Sequence, residues 1–144
     1  MSATLHVTCP ACAGVNRVLA DRLGGGPVCG RCRAELLPGR PVELDGPGLE
    51  RFIARNDLPV VVDFWSPGCG PCRMMAPQFD QAARELAPGV LLARCDVSAA
   101  QDAAARHAVR GVPTLILFRR GREAARISGA LPAGDITAWV RAAL

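Results

Sequence analysis

Apolar and polar positions follow two rhythms along this chain, and the changes of rhythm mark out its elements. Leu49, Phe52 and Ile53 fall at i, i+3 and i+4, the spacing of a short amphipathic helix. Val60 to Trp65 is apolar except for Asp63 and follows Pro59, which predicts a strand buried on both faces. After Gly70 and Pro71, the positions Cys72, Met75, Ala76, Phe79, Ala83 and Leu86 keep helical phase, with Pro77 inside the stretch as a source of a kink. Val90 to Asp96 reads as a strand, Ala99 to His107 as an Ala-rich helix, and Thr114 to Phe118 as a strand. Arg120-Gly121 then predicts a hairpin turn into a strand over Glu123 to Ile127. Ile136, Trp139, Val140, Ala143 and Leu144 form the apolar stripe of a last helix. Strand–helix–strand followed by a hairpin implies an α/β domain with a mixed sheet and helices on both faces.

The first 37 residues are different. They are rich in Cys, Gly and Arg and poor in large apolar side chains. Pro38-Gly39-Arg40-Pro41 and Asp45-Gly46-Pro47-Gly48 read as a joint with turns, with Pro41 to Leu44 as a short first strand between them. The expected division is a small domain over residues 1–37 and a larger one over 38–144, with 38–48 as the joint.

Composition narrows the function classes. The chain has 144 residues and a net charge of +4, and all 17 of its basic residues are Arg. Each part is only slightly basic, and four Phe, two Trp and no Tyr leave few platforms for base stacking, so a nucleic-acid-binding ribbon is a poor fit. No apolar run approaches the ~20 residues of a membrane helix, and the start lacks the apolar core of a signal peptide. The expectation is a soluble, cytoplasmic monomer without nucleic-acid or membrane partners.

Seven cysteines carry the chemistry. Cys9-x2-Cys12 and Cys29-x2-Cys32 stand sixteen residues apart, the spacing of a four-thiolate zinc site. A segment of fewer than about 40 residues buries too little surface to fold alone, so a metal or disulfides must hold it. In a reducing compartment zinc is favoured, and four thiolates leave no open coordination position, so the expected role is structural. His6 is read as a surface residue, Cys95 as a small core residue on its strand, and His107 as a partner for a helix C-terminus.

Cys69 and Cys72 sit differently, directly after the buried strand and at the start of a helix. That is the placement of a redox pair. Unpaired N–H groups and the positive end of the helix dipole lower the pKa of a thiol at Cys69, making it the attacking nucleophile. Cys72, one turn in, shares its face and can close a disulfide. Pro71 at an early helical position costs no hydrogen bond. Asp63, isolated in a Val-rich strand, is costly as a carboxylate unless its pKa rises, which suits a proton acceptor.

The segment VVVDFWSPGCGPCRMMAPQFD resembles the active site of thioredoxins, and residues 41–144 match that family throughout. With the four-cysteine N-terminal extension the chain resembles the thioredoxin-2 subgroup. The resemblance implies the thioredoxin fold with a zinc-ribbon-like extension, and Asp63 as the buried acid that removes the proton of Cys72. It implies a cis proline at Pro113 in Gly111-Val112-Pro113-Thr114, with Val112 offering backbone to an extended substrate. By the same resemblance Gly129 matches the glycine that leaves room for a substrate chain, Trp65 the packing tryptophan and Pro77 the kinking proline, and Gly70 and Pro71 are expected to complete the groove.

The implied activity is reduction of protein disulfides, with recycling by an NADPH-dependent flavoprotein, thioredoxin reductase; the chain has no nucleotide motif of its own. Two positions depart from the family. Gly68 stands where tryptophan is common, and Arg94 where many relatives have a lysine near the acid. The alternative is a zinc-switched client-binding module, or a redox-sensing chaperone, on the same scaffold.

Overall fold

The structure is a computed structural model and describes residues 2–144. Its centre is a five-stranded sheet in the order β3-β5-β4-β6-β7. The strands are β3 (Val42–Glu43), β4 (Val60–Trp65), β5 (Leu91–Asp96), β6 (Thr114–Arg119) and β7 (Arg122–Ser128). β4 runs parallel to β5 and antiparallel to β6, and β7 returns antiparallel on β6 with a register shift at Leu117/Phe118. The turn at Arg120 and Gly121, both at positive φ, makes that return.

Alternation along the strands divides the core in two. Val60, Val62 and Phe64 of β4, Ala93 and Cys95 of β5, and Ile116 and Phe118 of β6 face helices α1 (Gly46–Ala54) and α3 (Gln101–Arg106). Val61, Leu92, Leu115 and Leu117 face helices α2 (Gly70–Leu86) and α4 (Ala133–Ala143). Both faces are thus covered, which is why β4 reads as a nearly unbroken apolar run. Asp45 caps α1, its carboxylate accepting the Gly48 N–H at 2.7 Å. α2 runs on through Pro77. α4 ends at Ala143, so Leu144 is half exposed and falls outside the buried stripe, which Ile136 and Val140 carry. Two peptide bonds are cis, Ala87–Pro88 and Val112–Pro113.

The N-terminal part holds an antiparallel hairpin that the sequence reading had not assigned, β1 (Thr4–Thr8) and β2 (Val15–Leu19), followed by a 3-10 turn over Ala20–Gly25. Its hydrophobic residues Val7, Val18 and Leu36, with Cys9 and Cys29, join the same core as Leu49, Phe52 and Ile53 of α1. The loop after α1 fastens the hairpin. The buried Asn56 accepts the Thr8 N–H at 3.2 Å and donates to the Phe52 carbonyl at 3.1 Å. Alongside it, the Asp57 N–H donates to the His6 carbonyl at 2.9 Å, and Asp57 Oδ2 accepts the His6 N–H at 2.7 Å. His6 itself is exposed.

Candidate functional site

β4 delivers the chain to the C-terminal edge of the sheet at Trp65, and five residues later α2 begins at Gly70. Cys69 is the N-cap of α2, with Pro71 in the first turn where no backbone donor is needed. Cys69 and Cys72 are joined as a disulfide with Cα atoms 5.2 Å apart, ordinary for such a bond. The Cys72 N–H points at Cys69 Sγ from 3.1 Å. Cys69 is half-buried, whereas Cys72 is fully buried beneath it. The pair is asymmetric: one sulfur is reachable and supplied with a backbone donor, and the other is shielded.

The loop before β6 closes the opposite side. Cys69 Sγ lies 3.7 Å from the Val112 carbonyl oxygen. Pro113 is buried beside it, and its carbonyl accepts the Gly129 N–H at 2.9 Å, which places Gly129 against the same loop. Gly129 has φ +98°, a conformation that favours glycine. Val112 therefore borders the disulfide together with Gly70 and Pro71, and the hydrogen bond between Pro113 and Gly129 lies next to Val112.

Asp63 lies two residues after Val61 on β4, so it points to the face that α2 covers. It is fully buried, and neither carboxylate oxygen has a hydrogen-bond partner among the described residues. Burial pushes its pKa up to about 7, against the pull of the Arg94 guanidinium. Arg94, its register partner on β5, stands 3.6 Å away through Nε, pairs with Glu43 of β3 at 3.0 Å, and stacks on the Trp65 ring 4.3 Å from its centroid. Trp65 is thus a packing residue at the head of β4 that holds the guanidinium in place.

Four of the other five cysteines gather at the far end of the hairpin. Cys9, Cys12, Cys29 and Cys32 place their Sγ atoms within 4.8 Å of one another, with Cys9–Cys32 and Cys12–Cys29 both at 3.6 Å. Four thiolates around a zinc ion at about 2.3 Å stand about 3.8 Å apart, close to the spacing of this cluster, so the four residues fit that ion. Each pair forms the same knuckle. The Cys9 N–H donates to the Gly14 carbonyl at 2.8 Å and the Ala13 N–H to the Cys9 carbonyl at 2.9 Å; Cys29, Arg33 and Ala34 repeat this at 2.8 and 3.0 Å. Backbone N–H groups at 3.4 Å point at three of the sulfurs. Asn16 ties the knuckles together, accepting from the Gly30 N–H at 2.9 Å and donating to the Gly14 carbonyl at 3.2 Å.

Residues 41–142 match the family model "Thioredoxin", and residues 8–34 match "Thioredoxin 2, N-terminal". The chain is 42% identical to thioredoxin C-3 of Corynebacterium nephridii over 134 residues, covering 93% of this chain and 92% of that one. It is 35% identical to a thioredoxin of Pseudomonas aeruginosa over 101 residues, 70% of this chain and 94% of that one. Among solved structures, chloroplastic thioredoxin z superimposes with a TM-score of 0.67 at 31% identity, over 72% of this chain and 94% of its own. A mutant thioredoxin from Halobacterium salinarum NRC-1 does so at 0.66 and 30%, over 73% and 91%.

The chain belongs to the thioredoxin family. As a thioredoxin it is a thiol–disulfide oxidoreductase, built on the thioredoxin fold with an N-terminal zinc-ribbon domain. The structure brings Cys69, Cys72 and Val112 together, with Gly129 hydrogen-bonded to Pro113 of the loop that holds Val112, and buries Asp63 on the face of β4 that α2 covers. It gathers Cys9, Cys12, Cys29 and Cys32 separately, and His6 is not among them. Sequence reading missed two parts of this thioredoxin. Glu43 completes the Arg94 pair, and the signal was there, because a strand over residues 41–44 beside β5 has to set some side chain against Arg94. Asn56 gave no signal, since a polar residue after a helix is ordinary.

Proposed function

We propose that this thioredoxin reduces disulfides of protein substrates, with Cys69 as the nucleophile, Cys72 as the resolving thiol and Asp63 as the proton acceptor. The observation that carries the reading is the unequal pair at the start of α2: a reachable Cys69 sulfur facing the Cys72 N–H, and a buried Cys72 behind it. The thiolate of Cys69 attacks one sulfur of the substrate disulfide, forming a mixed disulfide and expelling the first substrate thiolate. Its negative charge before attack is held by the Cys72 N–H and the leading end of α2. Cys72 then gives its proton to Asp63, attacks Cys69 Sγ and releases the second substrate thiolate. Two substrate thiols and the Cys69–Cys72 disulfide result, so two electrons pass from enzyme to substrate.

The groove beside the disulfide, formed by Trp65, Gly70, Pro71, Val112, Pro113 and Gly129, is assigned to the substrate chain, with Val112 offering its backbone to an extended segment. Recycling of the disulfide is assigned to an NADPH-dependent thioredoxin reductase. Cys9, Cys12, Cys29 and Cys32 would hold one zinc ion, which supplies a crosslink and, with four thiolates bound, no open position for substrate. The working form is a monomer in the cytoplasm; among the described residues no helix is long and apolar enough to cross a membrane. The test is insulin reduction coupled to thioredoxin reductase and NADPH, with bound metal measured before and after. Turnover with one zinc retained supports the reading, and an inert chain with a reducible Cys69–Cys72 disulfide refutes it.

A further inference from the structure

The loops that carry and face the disulfide are rich in glycine. Glycine occupies four of the positions around it: Gly68 and Gly70 on either side of Cys69, Gly111 before Val112, and Gly129 against Pro113. A Cβ built at any of the four meets no heavy atom within 4 Å. Gly129 owes its identity to a positive φ. Gly68 has no such reason. Its backbone lies outside the left-handed region, it is exposed, and the space above it is open. Nothing in the fold requires a residue without a side chain there.

We infer that Gly68 is a specificity-determining residue, and that the bare rim it creates admits disulfides lying flush with the surface of folded proteins. The inference rests on the reductase reading of Cys69 and Cys72 and narrows its substrate class. The physical reason lies in the geometry of exchange. A thiolate attacks along the axis of the bond it breaks, so the Cys69 sulfur has to come into contact with the substrate sulfur. A large side chain next to Cys69, such as a tryptophan with roughly 150–250 Å² of surface, meets the substrate's own surface before the sulfurs touch. Disulfides on flexible loops or in small molecules thread past such a wall more readily than flush ones. Glycine at 68, 70 and 111 leaves these three positions without side chains, and Pro67 and Pro71, both exposed, stand next to Gly68 and Gly70.

The experiment compares the zinc-loaded full chain with Gly68→Trp and Gly68→Ala in single turnover, so that no reductase has to dock on the altered rim. Each protein is reduced, freed of reductant and mixed with insulin, with the excised unstructured disulfide peptide of insulin, or with bis(2-hydroxyethyl) disulfide; products are quenched and counted by mass. For Gly68→Trp the ratio of second-order rate on insulin to that on the small disulfide falls about tenfold, with the excised peptide between them. The loss appears as weaker saturation rather than a slower bound step. Gly68→Ala, whose Cβ enters open space, melts with the native chain and keeps its ratio. An unchanged ratio in Gly68→Trp overturns the inference, and so does an equal fall on all three substrates, which would place Gly68 in the sulfur chemistry itself. A native chain that reduces none of them overturns the reductase reading instead.

Discussion

Arg94 stands 3.6 Å from Asp63, near enough to act on its charge and too far to donate a hydrogen bond to it. The stack on Trp65 and the pair with Glu43 hold the guanidinium at that distance. Asp63 is therefore a carboxyl group whose two oxygens lack hydrogen-bond partners among the described residues and whose compensating charge, that of Arg94, is kept slightly off.

The sign of the resulting pH dependence is definite. Asp63 has a folded pKa raised to about 7, against about 3.9 for an unfolded aspartate. The folded state thus binds more protons between those values. The stability this contributes is complete below about pH 4 and is lost as pH rises through 7, roughly 4 kcal/mol in all. Denaturant unfolding of the oxidised chain at pH 5 and pH 8 is expected to show the fall. Asp63→Asn is expected to flatten it and to be the more stable protein at pH 8.

Removing the guanidinium should push the acid further. Arg94→Gln is expected to raise the Asp63 pKa above its present value by roughly one unit or more, because an opposite charge at this range lowers a carboxyl pKa by about that much. The alkaline shift is to be read from the pH profile of mixed-disulfide resolution. An unmoved profile would mean that Asp63 does not take the Cys72 proton, or that Arg94 does not govern it.

The two redox cysteines are predicted to fail differently. Cys72→Ser accumulates a covalent adduct with a disulfide-containing protein, seen as a mass increase that dithiothreitol reverses. Cys69→Ser forms none and reduces nothing. Adducts through Cys72 in the second variant would invert the assignment, despite its burial.

Metal binding is expected to be one equivalent per chain and to stabilise more than the ribbon. Cobalt substitution should give the intense thiolate-to-metal absorption of a four-sulfur site. Because Cys9 and Cys29 lie in the same core as α1, chelation is expected to lower the unfolding free energy of the whole chain by at least about 3 kcal/mol, in a single transition. Two separate transitions, with the thioredoxin part unmoved, would show that the core is not shared in solution.

Asn56 is predicted to be a sensitive buried polar position outside the site. Asn56→Ala leaves the Thr8 N–H and the Phe52 carbonyl without partners in a buried place, a cost of about 1–3 kcal/mol. Thermal melts and amide exchange at Thr8 measure it, while the Cys69–Cys72 chemistry is unaffected.

The legible parts of the sequence were those in which one physical demand dominates. β4 was plain because burial on both faces demands an apolar run, and Asp63 was conspicuous for breaking it. The redox pair was plain because a strand leading into a helix fixes where Cys69 and Cys72 must lie. The ribbon was only half legible. Its cysteines gave the cluster, but β1 and β2 each bury few side chains, Val7 and Thr8 in one and Val18 in the other, so their alternation is faint. The knuckles hid for a related reason. Ala13 and Arg33 hold positive φ angles of 64° and 68° without being glycine, so nothing in their identity marks the turn. α3 came out shorter than its Ala-rich stretch, Gln101–Arg106, because Ala100 lies outside helical conformation and His107 ends it by bonding to Glu50 of α1 at 2.8 Å. Such cross-element partners are invisible until the fold brings them together.

Phe52 and Cys9 line the same cleft between ribbon and body, and that binds the history of the two parts as well as their packing. A bulkier side chain at Val7 or Val18 has to be matched by a smaller one on α1, so drift in the ribbon and in that helix is expected to be correlated. A thioredoxin without a ribbon is expected to expose that side of its first helix and to carry polar residues where this one is kept dry.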